Sequence, residues 1–159
     1  MSSPDTAFAK VEDAFADPLR DYPDLAGYGV VTERSVDIAG EEDFDQQIAI
    51  FTVHLDHELA DENNQTLHTA TIAFEVTARG PANGMSLGRT NLTVIAHIIA
   101  ALSDDRTLGG RLLDWQEIDT AGAAGNGKDV SAASLQIRAQ FFTSRTDWFT
   151  LLGQGGATF

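Results

Sequence analysis

Two stretches of strict alternation, separated by a short polar run, constrain this chain more than any other feature. In the first, Phe51, Val53 and Leu55 fall on one side and Thr52, His54, Asp56 and Glu58 on the other. In the second, Ala70, Ile72, Phe74, Val76 and Ala78 oppose Thr69, Thr71, Glu75, Thr77 and Arg79. A period of two is the repeat of a half-buried strand. The run Asp61-Glu62-Asn63-Asn64-Gln65 between them is too short for a crossover, so the two strands form a long antiparallel hairpin. Pairing Leu55 with Ile72 and Val53 with Phe74 puts both apolar sets on one side. A one-residue slip would turn one set to water, which makes the register specific.

Helical periodicity flanks this hairpin. Ser2 or Ser3 followed by Pro4 and Asp5 reads as a helix start, after which Phe8, Val11, Phe15 and Leu19 recur at helical spacing. Pro18 and Pro23 place the end of that helix near residues 17–21, and residues 28–38 then read as a strand centred on Val30 and Val31. An acidic connector, Glu41 to Asp45, leads into the hairpin. After a Gly80 to Gly84 loop, Leu92, Ile95, Ile98, Ile99 and Leu102 mark a second helix over 87–102. Residues 112–118 form a short strand, 121–128 a glycine-rich loop, and Leu135, Ile137, Ala139 and Phe141 a last alternating strand. The order of elements predicts an α+β domain: an antiparallel sheet with a long central hairpin, two helices packed on one face and a polar opposite face. With 159 residues, 43% of them hydrophobic, one core is expected. It is assigned to residues 1–143, with 144–159 a C-terminal extension that orders against a partner.

Charge narrows the function classes. Twenty-four acidic residues against ten basic ones give a formal net charge of -14, a field that repels phosphates and anionic headgroups. Tight binding of free nucleic acid is disfavoured, whereas a surface that DNA slides past is compatible. Cysteine is absent, which removes disulfides, thiolate metal sites and thiol catalysis. No signal peptide is readable, and the apolar run 92–102 is too short to span a bilayer, so a soluble protein is expected.

Few constellations carry chemistry. Gly122 to Lys128 matches the first part of a phosphate-binding loop, but Asp129 stands where a Ser or Thr hydroxyl is needed, and a strand follows instead of a helix. A hairpin loop is the better reading. His54 and Asp56 share one strand face and could hold a divalent ion, with no third ligand fixed by the pattern. His57 points to the opposite side and His68 projects from the apolar side of its strand, so the four histidines are not expected to converge. No nucleophile turn or Ser-His-Asp arrangement is marked, and neither an enzymatic role nor a cofactor is expected. Trp115 reads as core. Trp148 and Phe149, beyond the last strand, read either as an intersubunit anchor or as a cap on their own subunit.

The segment that closes the second helix, Asp104-Asp105-Arg106-Thr107-Leu108-Gly109-Gly110, carries a family resemblance. Together with the N-terminal helix, the hairpin from Ile48 to Arg79, the strand 112–118 and the final strand through Phe142, it resembles the tail terminator (tail completion) proteins of long-tailed bacteriophages and related gene-transfer particles. The resemblance implies a virion structural protein at the head-tail junction, assembled in the host cytoplasm. Such a protein forms a ring, usually of six copies, that caps the head-proximal end of the tail tube and stops its polymerisation. Its partners would be further copies of itself, the tail tube protein and a head-completion or connector protein, with DNA passing through the lumen without specific binding and no membrane involved. The interface residues expected on this basis are Asp61, Glu62, Asn63 and Asn64 at the hairpin tip, Arg106 in the junction, Gly125, Asn126 and Lys128 in the glycine-rich loop, and Trp148 and Phe149. The hairpin tip, that loop and the C-terminal segment are expected to order on docking. Another neck or tube component is the nearest alternative, and a small metal-dependent enzyme using His54 and Asp56 the alternative from a different class.

Overall fold

A computed structural model describes residues 5–32, 46–60, 64–79, 87–122 and 130–159. Helix α1 (Ala7–Arg20) is followed by strand β1 (Gly29–Thr32), the hairpin strands β2 (Gln46–Ala60) and β3 (Gln65–Arg79), helix α2 (Leu87–Ser103), and strands β4 (Asp114–Gly122) and β5 (Val130–Ser144). The five strands form one sheet in the order β1-β2-β3-β5-β4. α1 lies over β1 and β2, α2 over β3 and β5, and the core fills the space between helices and sheet. The α+β class is as the sequence indicates.

One pairing differs. β1 runs parallel to β2, with Val30 opposite Ile48, so the sheet is mixed instead of wholly antiparallel. Alternation reports which face a residue takes but not which way a strand runs. The thirteen residues 33–45 supply the length that a parallel connection requires.

α1 starts at Thr6, whose Oγ1 accepts from the Ala9 N–H at 3.2 Å, so the cap lies later than Ser2 or Ser3, which fall outside the described residues. Val11, Phe15 and Leu19 are buried, and Phe15 meets Phe74 edge-on at 5.8 Å. Pro18 sits inside the last turn, and the helix ends two residues later. α2 buries Val94, Ile95, Ile98, Ala101 and Leu102 while Leu92 faces outward. No helix among the described residues is long and apolar enough to cross a membrane.

The hairpin is present, but its expected register is not. Ile50, not Val53, lies opposite Phe74, and Leu55 lies opposite Ala70 instead of Ile72. Counted from the Ala60–Gln65 pair at the hairpin end, the register already differs by two residues, and a bulge shifts it by one more: Thr52 pairs with Ile72 and His54 with Thr71, leaving Val53 as the extra residue. Before the bulge, Ile48, Ile50 and Thr52 face the helices; after it, Leu55 and His57 do. Phe51 and Leu55 therefore lie on opposite faces, and Val53 is exposed. Thr52 uses its inward position to donate to the Glu12 carboxylate at 2.8 Å. At roughly 3.3 Å per residue, strands of fifteen residues extend about 50 Å. The distal half of β2 has mostly exposed side chains, while Thr66, His68 and Ala70 of β3 stay buried, His68 against Phe8 of α1 and Trp148 of the C-terminal segment.

The C-terminal segment is built into the domain. Leu151 is buried in the core, Leu152 bridges to Phe142, and Leu151 and Phe159 exchange two backbone hydrogen bonds of 3.1 and 2.9 Å. Lys10 Nζ on α1 donates to the Phe149 and Phe159 carbonyls at 2.7 and 3.2 Å. The expectation that this segment orders only on a partner is thereby corrected. Its apolar residues complete a core that β5 leaves open.

Candidate assembly surface

The Asp105-to-Gly110 junction is a turn held by its own side chains. Asp105 Oδ1 accepts from the Thr107 N–H and hydroxyl at 3.1 and 2.9 Å, and Oδ2 from the Gly109 N–H at 2.7 Å. The Thr107 hydroxyl oxygen accepts in turn from the Gly110 N–H at 3.1 Å. These bonds, the Gly109 N–H first and the Thr107 hydroxyl next, hold the Asp105 carboxyl below the usual carboxylate range. Three successive residues, Leu108, Gly109 and Gly110, take left-handed φ values of 50°, 73° and 84°. The glycines adopt this at little cost. Leu108 is held there by its burial in the core.

This turn reverses the chain between α2 and β4 and seats the C-terminal segment. The Gly110 carbonyl accepts from the Gln154 N–H at 2.8 Å, the Leu112 carbonyl accepts from Gln154 Nε2 at 3.1 Å, and Arg111 lies 4.3 Å over the Phe159 ring. Arg106 faces elsewhere. Its guanidinium stacks 4.0 Å over Trp115, its Nε is 3.4 Å from Asp114, and its Nη2 donates to the Trp115 carbonyl.

At the distal end of the hairpin, His57 and His68 form a cross-strand pair with Nδ1 atoms 2.8 Å apart. His68 Nε2 is 2.7 Å from the Thr143 hydroxyl, which donates its proton to the Ser144 carbonyl at 3.0 Å. A hydroxyl has one proton, so Thr143 must accept from His68 Nε2–H. His68 Nδ1 is then an acceptor, and His57 Nδ1 carries the shared proton. Phe8, Phe141 and Trp148 pack around His68 with ring centroids 4.8 to 5.2 Å away. His68 has no exposed surface, and burial first, with His57 second, lowers its pKa to about 4.

The expectation that the histidines stay apart is corrected for this pair. They are brought level by the hairpin register, which runs unshifted from Ala60 opposite Gln65 to His57 opposite His68. His54 and Asp56 are indeed neighbours, at 3.2 Å, with side chains 64% and 72% exposed. No cluster of three or more metal-ligating side chains occurs among the described residues.

Trp148 and Phe149 follow directly. The Trp148 carbonyl accepts from the Ala7 N–H at 2.8 Å, and its indole lies 4.8 Å from both histidine rings. Asp147 Oδ1 accepts from the Phe149 and Thr150 N–H groups at 2.9 and 3.2 Å. Its carboxyl is held below the usual range by the Thr150 hydroxyl first and the Phe149 N–H next. Fixed in this way, Trp148 remains 37% exposed and Phe149 48% exposed. Trp148 does cap its own subunit, while the Phe149 ring is presented to solvent.

Of the other expected interface residues, Asn64 is described. It takes a left-handed φ of 56° at the hairpin end, and its carbonyl accepts from the Arg145 N–H at 3.1 Å. Asp61, Glu62, Asn63, Gly125, Asn126 and Lys128 lie outside the described residues, as does most of the loop that resembles a phosphate site. Arg106 is far along the chain from the hairpin tip and is engaged within its own subunit.

No protein-family model matches the chain, and no curated protein matches its sequence. Among solved structures it is similar to a chain of a "Virion of native gene transfer agent (GTA) particle", at 15% identity and a TM-score of 0.45, over 82% of this chain and 92% of that one.

Proposed function

We propose that this protein is a non-enzymatic virion component that closes into a ring, of six copies on the family pattern, and terminates a phage-type tail tube at its head-proximal end. The observation that carries the reading is the Trp148–Phe149 pair: two neighbouring aromatic residues whose backbone is held by hydrogen bonds and which stay partly exposed. Rigid exposed aromatics are the residues that anchor protein interfaces, because little entropy is lost when they are covered. The sequence resemblance supplies the kind of assembly. The Asp105–Gly110 turn accounts for the resembling residues as structural elements with no chemistry to perform. A ring needs a head-to-tail contact whose rotation closes, so Phe149 would enter a different patch on the next subunit.

Replacing Phe149 by Glu tests this. Phe149 is 48% exposed and its hydrogen bonds are made by its backbone, so the stability cost should be about 1 kcal/mol. Sedimentation velocity is expected to show the wild-type oligomer replaced by monomer, and Phe149→Leu to restore it. An F149E protein that assembles like the wild type would overturn the assignment of this residue.

A further inference from the structure

An open cleft of about 560 Å³ is lined by the C-terminal ends of α1 and α2 and the segments that follow them. Its apolar walls come from Ala14, Pro18, Tyr22, Ala101 and Leu108. Its lining carries four carboxylates, Asp17 at the end of α1, Asp21 at its C-cap, and Asp104 and Asp105 after α2, against one cation, Arg111. Two helix C-termini add their partial negative charge to the same opening. The basic side chains nearby are already committed. Arg20 lies 3.5 Å from Asp17 and donates to the Val30 carbonyl, while Arg111 stacks on Phe159 and donates to the Leu108 carbonyl. Asp105 is kept ionised by the turn that it caps.

We propose that this cleft docks a segment of another protein in which an apolar side chain is flanked by lysine or arginine. The apolar walls accept the first and the carboxylates the second. This inference stands without the ring. A second copy of this chain does not fit as the occupant, because the closest pair of basic residues in the sequence is Arg106 and Arg111, five positions apart, and both are stacked on rings of their own subunit. Nucleic acid is excluded by the sign of the charge.

A fluorescein-labelled peptide of alternating lysine and leucine serves as the probe, with a lysine–serine peptide and spermidine as comparisons. Anisotropy titrations would compare wild type with D17N/D21N/D104N and with D56N/E58Q/D119N, which removes the same charge from the sheet side. The proposal expects the cleft variant to bind the leucine peptide at least about tenfold more weakly, and the sheet variant to bind it as wild type does. It further expects the serine peptide to bind more weakly than the leucine peptide and to distinguish less between the proteins. Equal losses in the two variants would reduce the effect to net charge and overturn the proposal. So would displacement of the probe by spermidine at matched charge, which would make the site one for small cations. Both triple variants carry exposed substitutions, and circular dichroism checks that each is folded.

Discussion

Between pH 6.5 and pH 4 the unfolding free energy is expected to fall by about 3 kcal/mol through His68 alone. The unfolded chain binds a proton at this residue near pH 6.5, whereas the folded chain holds it neutral until about pH 4. In that window the unfolded state carries more protons, so stability rises with pH. The contribution is complete above pH 6.5 and is lost as the pH falls to about 4. The structural reason is that both ring nitrogens are already assigned. Nε2 donates to Thr143, and Nδ1 accepts from His57, so a second proton on Nδ1 would face the proton of His57 across 2.8 Å. The rings of Phe8, Phe141 and Trp148 deny the imidazolium any water. Urea unfolding across this range, in wild type and in His68→Gln, checks it. The variant should be less stable at neutral pH and should have lost that part of the slope. Parallel slopes in the two proteins would show that His68 is not the titrating group.

Gly153→Ala should cost about 2 to 3 kcal/mol and loosen the C-terminal segment from the rest of the domain. A Cβ here would meet Cε2 of Phe159 at 2.4 Å and the Gly110 carbonyl oxygen at 2.7 Å. The Phe159 ring can swing away, but the Gly110 carbonyl belongs to the turn that Asp105 and Thr107 hold in place. That same carbonyl accepts the Gln154 N–H, so relieving the contact means giving up this bond. Hydrogen exchange should show faster exchange at Leu151, Gln154 and Phe159, with the amides of β3 protected as before. Wild-type exchange rates at all three positions would mean that the approach of the two backbones is not tight.

The same residues explain how far the sequence could be read. Helices, strands and the hairpin follow from periodicity, because each buries one stripe or face on one side of the sheet. The register does not follow, because alternation fixes the face of each residue and not which residue lies opposite it, and Phe51, Val53 and Leu55 alternate without a break even though the strand bulges between Thr52 and His54. No glycine marks that position. The parallel direction of β1 leaves no trace in the alternation. Gly109 and Gly110 announce a left-handed turn, and both adopt it, but Leu108 joins them through burial and has no local signature. The inward-facing side of His57 and His68 was legible; their meeting depends on the register set at the hairpin end and was not. Trp148 and Phe159 looked like parts of a tail because their partners, Ala7 for the first and Lys10 for the second, lie at the other end of the chain.

The central claim is that this chain makes a closed assembly through a fixed aromatic surface, and it is tested most directly by the mass and shape of the purified protein. Analytical ultracentrifugation and electron microscopy, at an ionic strength of about 0.15 M so that a net charge of -14 per subunit is screened beyond roughly 8 Å, should find one discrete ring with an open centre. A 17.1 kDa species at every concentration, or cylinders that go on lengthening, would contradict it.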